Sequence, residues 1–130
     1  MLNIDPAHHL ESQNRTIAAA ESIRRTAADE VSSGLKNVFF ASAGGVAILT
    51  YPAAKLLQQR SSLPVFIERA AELVATDNAN LGPGSLVVFC SVSGTTQEAV
   101  EALEFVQAKG ARAISFVGNA GTPMDVKSDI

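Results

Sequence analysis

The stretch 87-VVFCSVSGTTQEAVEAL-103 contains the change of pattern that decides the fold. It begins with continuously apolar residues and Cys90, a run typical of a buried strand. From Gln97 to Lys109, apolar residues recur at the three- and four-residue steps of an amphipathic helix, which Gly110 is placed to end. Between the two patterns, residues 91–96 hold four hydroxyl side chains and one glycine. The predicted order is therefore strand, polar turn and helix.

The same alternation of strand and helix patterns continues outward from this stretch. Apolar, β-rich runs predict strands at 36–42, 63–67, 85–90 and 113–117. Helical spacing predicts helices at 14–31, 46–60, 70–76 and 97–109, with Gly34 ending the first and Pro52 interrupting the second. Because the strands are continuously apolar, the sheet should be parallel and covered on both faces. We therefore predict a three-layer α/β/α sandwich.

The composition limits the classes of function. With 130 residues, 47% of them hydrophobic, the chain has the size of one globular domain. Its net charge of −3 and its lack of tryptophan argue against a nucleic-acid-binding surface. The first ten residues lack a signal-peptide pattern, and no apolar run reaches membrane-spanning length. We expect a cytoplasmic protein without nucleic-acid or membrane partners, in which the single cysteine, Cys90, is a small core residue.

The hydroxyl cluster lies where such folds bind ligands, at the carboxyl end of a strand. A helix N-terminus presents unpaired N–H groups and a positive dipole end, so it can hold an anion without lysine or arginine. Gly94 permits close approach of the backbone, and the hydroxyls add donors that suit a phosphate monoester. Alternatively, the hydroxyls only cap the helix, since Thr95 and Glu98 have capping-box spacing. We favour the anion site and keep the cap as the alternative.

The motif Ser91-Val92-Ser93-Gly94-Thr95-Thr96 resembles the S-x-S-G-x-T phosphate loop of sugar isomerase (SIS) domains. The strand 36-KNVFF-40 with the following 43-AGG-45 resembles their first strand and glycine turn, and the resemblance continues through 51-YPA-53, 71-AEL-73 and 122-TPM-124. It implies a flavodoxin-like strand order, truncated here before a fifth strand. Within the family, the chain resembles the N-terminal domain of deglycases acting on the 6-phosphates of fructoselysine and fructose-asparagine. More distantly, it resembles the isomerase domain of glucosamine-6-phosphate synthase.

The resemblance also implies a ligand-binding site. The loop after the third strand would bind the phosphate, the first glycine turn would approach the sugar, and one helical glutamate would lie near the cleft. The matching positions are Ser91, Ser93, Gly94, Thr95, Thr96, Gly44, Gly45 and Glu72. The chain departs from the family at Val46 and Val92, where relatives commonly carry Ser or Thr and Gln. Ser42 could replace part of the missing hydrogen bonding.

Acid–base catalysis is assigned by the same resemblance to a glutamate and a histidine in a second domain or a partner subunit, so no catalytic residue is predicted in this chain. We interpret residues 1–34 as a helical segment and residues 35–130 as a phosphosugar-binding domain, the first half of a tandem protein. No metal site is expected, because His8 and His9 are adjacent and precede the predicted fold. No cofactor is expected, because 43-AGGVA-47 lacks the spacing of a dinucleotide-binding turn.

Two classes of function are considered. The first is the phosphosugar-binding part of an aldose–ketose-phosphate isomerase or a 6-phosphofructosyl-amino-acid deglycase, with the sugar 6-phosphate or its amino-acid conjugate as ligand. The second is a non-catalytic sugar-phosphate sensor in a regulator. Residues 1–34 carry one predicted helix with nearly balanced charges rather than a DNA-binding module, which favours the first. The apolar face of helix 14–31 needs a partner surface, so we expect a homodimer or a larger homo-oligomer.

Overall fold

The computed structural model describes residues 5–130, except for the side chain of His8. The chain forms two compact units, and the boundary between them along the sequence lies between Gly34 and Leu35. The described part of the first unit is one helix, α1 (Pro6–Ser32). Asp5 begins it, because its Oδ1 accepts the N–H of Ala7 at 2.9 Å and a proline follows at the first helical position. Gly34, with a φ of 93°, follows its end as predicted.

The start of α1 corrects the sequence prediction. The helix expected from Asn14 begins at Pro6, so His8 and His9 lie within it and not before the fold. The side-chain amide of Gln13 donates to Nε2 of His9 at 3.0 Å, whereas the side chain of His8 lies outside the described residues. The pair Asp5-Pro6 was the available signal, since an N-cap followed by proline marks a helix start.

The second unit is a four-stranded parallel sheet with helices on both faces. Its elements alternate along the chain as β1 (Asn37–Ser42), α2 (Ala47–Arg60), β2 (Val65–Arg69), α3 (Ala70–Thr76), β3 (Ser85–Ser91), α4 (Gln97–Ala108), β4 (Arg112–Val117) and α5 (Pro123–Lys127). The strand order is β2-β1-β3-β4, and each neighbouring pair is parallel. The predicted α/β class and flavodoxin-like order are therefore confirmed.

Strand β1 lies at the centre of two apolar cores. All six of its residues are buried. Phe39 and Ala41 pack into the core that includes residues of α3, α4 and α5, whereas Val38 and Phe40 pack on the opposite face, with Ala54 of α2. Because side chains alternate across a strand, a continuously apolar run is what two covered faces require.

Two boundaries differ from the prediction in ways that affect the carboxyl edge of the sheet. Strand β2 begins at Val65 rather than Leu63, since Pro64 has no N–H to donate. It also continues beyond Ile67, through Glu68 and Arg69. Helix α2 continues through Pro52, which was expected to interrupt it. At the outer edge of β4, the N–H of Asp129 donates to the carbonyl of Ala113, and the N–H of Ser115 donates to the carbonyl of Ile130.

Replacing Phe39 with Ala should lower the free energy of unfolding by about 3 to 5 kcal/mol. Its side chain is fully buried and its ring stacks on Phe66 at a centroid distance of 4.6 Å, so truncation leaves a cavity. Urea denaturation followed by circular dichroism measures the loss. Phe116→Ala is the matched control, because that ring is 43% exposed and its removal should cost only on the order of 1 kcal/mol. Equal losses for the two variants would contradict the assigned core.

Candidate functional site

Strand β2 pairs with one edge of β1, and β3 pairs with the other edge. The direction in which strands are added therefore reverses between β1 and β3, which form the switch point of the strand order. Ligands in open α/β sheets bind at the carboxyl ends of the strands at such a point. A single 3₁₀ turn, Gly44–Val46, follows β1, and the hydroxyl loop follows β3. Between them lies a cavity of about 520 Å³, which we call the switch-point cavity. Its lining consists of Ala43, Gly44, Thr96, Gln97, Glu98 and Glu101.

The backbone of Gly94 has a left-handed conformation that residues other than glycine rarely adopt. Its φ is 66°, and a Cβ at this position would lie 2.1 Å from Oγ1 of Thr122. Its N–H donates to Oγ of Ser91 at 3.0 Å, and its carbonyl accepts the N–H of Met124 at 3.1 Å. The turn is therefore held from β3 on one side and from the start of α5 on the other.

A second set of contacts holds the preceding part of the loop. The N–H of Gly118 donates to the carbonyl of Ser91 at 3.2 Å, and a Cβ on Gly118 would lie 2.6 Å from the carbonyl oxygen of Val92. That oxygen also accepts the side-chain amide of Asn119 at 3.2 Å. Neither Gly118 nor Asn119 is among the site residues predicted from the sequence. The available signal was the Gly-Asn pair directly after a predicted strand, which is typical of a constrained turn.

The hydroxyl side chains of the loop divide into one buried and three exposed groups. Ser91 is buried, and its oxygen accepts the N–H of Gly94. Ser93, Thr95 and Thr96 are exposed. Oγ of Ser93 lies 3.4 Å from Oγ1 of Thr96 and accepts the N–H of Thr95 at 3.3 Å. The hydroxyls of Ser93 and Thr96 are thus side by side on the solvent-facing side of the turn.

The predicted capping box does not form. The N-cap of α4 is Thr96, and no side-chain hydrogen bond caps the helix. A capping box pairs the N-cap with the third helical residue, and with Thr96 as the N-cap that residue is Ala99. Thr95 and Glu98 therefore do not occupy the two positions of a capping box. The capping-box interpretation is therefore wrong, and the first turn of α4 presents N–H groups that no side chain of its own N-cap satisfies.

Of the glycine turn after β1, Gly44 lines the switch-point cavity, and of the hydroxyl loop only Thr96 does. Gly44 and Gly45 are exposed, and Gly44 has a φ of 58° with open space where a Cβ would lie. Ser42 is buried and its Oγ accepts the N–H of Cys90 at 3.3 Å, so it joins β1 to β3 inside the sheet. Burial raises the pKa of the neighbouring Cys90 thiol, because desolvation disfavours the thiolate.

Glu72 lies apart from these residues. It lines a different cavity of about 450 Å³ between α2, the end of β2 and α3, which we call the α2–α3 cavity. Tyr51, Glu68 and Arg69 contribute to the same lining. The structure thus brings Gly44 and Thr96 to one cavity and Glu72 to another.

Within residues 5–130 there is neither a metal-binding cluster nor a membrane-spanning helix. No group of three or more His, Cys, Asp or Glu side chains in this part of the chain could hold a metal ion. No helix described there combines the length and the apolar character that crossing a membrane requires.

The parallel fold and the glycine-turned hydroxyl loop at its switch point define the class of protein. Residues 34–130 match the SIS domain, and the chain belongs to that family. The particular relatives include the fructosamine deglycase FrlB of Bacillus subtilis strain 168, to which it is 33% identical over 91 residues. That match covers 69% of this chain and 28% of the relative. The family predicted from the loop motif is confirmed.

Solved structures agree with this assignment. One from Salmonella typhimurium LT2, assigned as a phosphosugar isomerase, matches with a TM-score of 0.79 and 31% identity, covering 85% of this chain and 34% of that chain. The C-terminal domain of glucosamine-fructose-6-phosphate aminotransferase from Francisella tularensis shares the fold with a TM-score of 0.69 at 22% identity, covering 78% and 29%. The chain therefore spans about a third or less of the length of these relatives.

Replacing Gly94 with Ala should lower the free energy of unfolding by about 2 to 5 kcal/mol, because a left-handed backbone and a steric clash with Thr122 add together. Gly121→Ala is the matched control. Gly121 also has a positive φ, 73°, but has open space around a Cβ, so only the backbone cost of about 1 to 2 kcal/mol is expected. Chemical denaturation of both variants gives the comparison. A Gly94 variant as stable as the Gly121 variant would show that Thr122 does not constrain the loop.

Proposed function

We propose that this chain is the phosphosugar-binding domain of an aldose–ketose-phosphate isomerase or a 6-phosphofructosyl-amino-acid deglycase, and that residues 91–96 hold the phosphate. One observation carries the proposal. The hydroxyls of Ser93 and Thr96 lie side by side and exposed, free of a helix-capping role, at the switch point of a SIS domain. A phosphate monoester offers several acceptor oxygens to such a set of donors.

Each part of the loop has its own task in this proposal. Ser93 and Thr96 donate their hydroxyl hydrogens to phosphate oxygens, with Thr95 close by. The first N–H groups of α4 add backbone donors and the positive end of the helix dipole. Ser91 shapes the loop by accepting the N–H of Gly94. Gly44, which lines the cavity, leaves room for the sugar, and Gly45 beside it also has open space where a Cβ would lie.

Electrostatics orients the ligand in the switch-point cavity. The lining, as far as residues 5–130 are described, carries the carboxylates of Glu98 and Glu101 and no lysine or arginine. The side-chain amide of Gln97 donates to Oε1 of Glu101 at 2.8 Å. A phosphate placed against these carboxylates would be repelled, whereas sugar hydroxyls can donate to them. We therefore orient the phosphate toward the hydroxyl loop and the sugar toward the acidic wall.

The chemical step is assigned to residues outside this chain. A bound, ring-opened 6-phosphosugar would be held in place while a base elsewhere moves a proton between C1 and C2, or promotes loss of an amine. In support, FrlB is described as a fructosamine deglycase, and this chain spans 28% of it. We place the protein in the cytoplasm and propose no cofactor.

The double variant Ser93→Ala/Thr96→Ala should weaken binding of fructose 6-phosphate at least about a hundredfold, because each lost charge-assisted hydrogen bond is worth roughly 1.5 to 3 kcal/mol. Binding of unphosphorylated fructose should change little. Isothermal titration of both sugars gives the contrast. Ser61→Ala/Thr76→Ala is the control, since those hydroxyls donate to helix carbonyls outside the switch-point cavity. Equal losses for the two sugars would disprove the phosphate assignment while leaving the family membership intact.

We also propose that the protein forms at least a homodimer. The large apolar side chains of α1 are exposed, among them Leu10, Ile17 and Val31. Exposed apolar surface of this kind is stabilised when a second surface covers it. Sedimentation velocity at micromolar concentration should show a dimer, and Ile17→Glu should shift the population toward monomer. A monomer at every concentration tested would refute the assembly.

A further inference from the structure

Two successive carbonyl groups at the end of β3 are held by the turn that follows β4. The carbonyl of Ser91 accepts the N–H of Gly118 at 3.2 Å, and the carbonyl of Val92 accepts the side-chain amide of Asn119 at 3.2 Å. In an extended strand, successive carbonyls point to opposite edges of the strand. Here both meet donors from the same turn, so the backbone departs from strand geometry at Val92.

Gly118 permits this arrangement because it has no side chain. A Cβ on Gly118 would lie 2.6 Å from the carbonyl oxygen of Val92, which is too close for two non-bonded atoms. The oxygen therefore lies directly against the turn after β4, where the side-chain amide of Asn119 also reaches it. The peptide group between Val92 and Ser93 is thus held by one steric contact and one hydrogen bond.

The position of this carbonyl determines where the N–H of Ser93 points. None of the described peptide bonds is cis, and in a trans peptide the C=O and the following N–H point in opposite directions. Because β3 lies between β1 and β4, a carbonyl that faces the turn after β4 directs the next N–H toward the β1 side. The switch-point cavity, with Gly44 in its lining, is on that side. Among the described residues the N–H of Ser93 has no acceptor, so it is open to water or to a ligand.

The same peptide group also sets the position of the Ser93 side chain. Oγ of Ser93 accepts the N–H of Thr95 and lies 3.4 Å from Oγ1 of Thr96. Rotation of the peptide group would turn the N–H of Ser93 and move its hydroxyl away from Thr96. A loop that is already held in one arrangement loses less conformational entropy when a ligand binds to it.

We propose that Asn119 is a positioning residue for anion binding by the hydroxyl loop. Its hydrogen bond to Val92 holds the N–H of Ser93 toward the switch-point cavity, beside the hydroxyls of Ser93 and Thr96. The bond also polarises the peptide group, which makes its N–H a stronger donor. Asn119 acts through this peptide group and does not touch the ligand. The inference rests on the proposed function for the ligand, a sugar phosphate, whereas the restraint on Ser93 is a property of the free protein.

The first test needs no ligand. Asn119→Ala should make the backbone amide of Ser93 more mobile, which the heteronuclear ¹H–¹⁵N NOE of the free protein measures. Gln58→Ala is the matched control, because that side-chain amide also donates from an exposed position to a backbone carbonyl, that of Val65, outside the switch-point cavity. Both variants should unfold at about the wild-type urea concentration, since both side chains are exposed. A Ser93 NOE that is unchanged in Asn119→Ala would refute the positioning role, whichever ligand the protein binds.

The second test is a titration with fructose 6-phosphate, followed through the backbone amide signals. In the wild type, the Ser93 amide proton should move downfield when it donates to the phosphate. Asn119→Ala should weaken binding about three- to tenfold and should reduce the Ser93 shift at saturation, while the shifts of Gln97 and Glu98 persist. The shift at saturation does not depend on affinity or on stability, so a merely structural loss would leave it unchanged.

The outcomes separate this inference from the proposed function. An unchanged affinity in Asn119→Ala, or a weaker affinity with the full Ser93 shift at saturation, would overturn the positioning role. Fructose 6-phosphate that shifts no amide of the hydroxyl loop in the wild type would instead refute the phosphate assignment. The mobility of Ser93 in the free protein would then still decide the role of Asn119.

Discussion

The left-handed turn at Gly94 is the constraint on which the candidate site depends. Thr122 lies where any side chain at residue 94 would have to be, and the carbonyl of Gly94 accepts the N–H of Met124. The side chain of Met124 is fully buried in the core shared with α4. The contacts that pack α5 therefore also fix the loop between β3 and α4. The packing of the core therefore also holds Ser93 and Thr96 in position.

The sequence predicted the order of elements because each strand is apolar enough to be buried on both faces. It was less accurate where local backbone chemistry sets a boundary. Asp5 and Pro6 start α1 before its apolar periodicity begins, and Pro64 delays β2 until Val65. Pro52 shows the opposite effect, since α2 continues through it although the residue cannot donate to the helix. Packing in the surrounding structure outweighs a local penalty of this size.

Part of the candidate site consists of residues that are consecutive in the sequence, and part consists of residues that only the fold brings together. The hydroxyl loop could be recognised because its residues are consecutive and follow a buried strand. Its supports, Gly118 and Thr122, come from the segment after β4 and approach the loop only when the sheet has formed. The separation of Glu72 from the loop also could not be predicted. It follows from the position of α2 relative to the end of β2, which spacing along the chain does not determine.

The absence of basic side chains from the described lining of the switch-point cavity affects how the proposed phosphate contact would discriminate ligands. Long-range attraction to lysine or arginine draws any anion and is weakened by salt. Hydroxyl and N–H donors act over hydrogen-bond distances and require acceptor oxygens in matching positions. A turn held by Gly94 keeps such donors in a fixed arrangement. In the proposed function, selectivity would therefore come from the shape of the loop, and the nearby carboxylates of Glu98 and Glu101 would reject an anion bound in the wrong orientation.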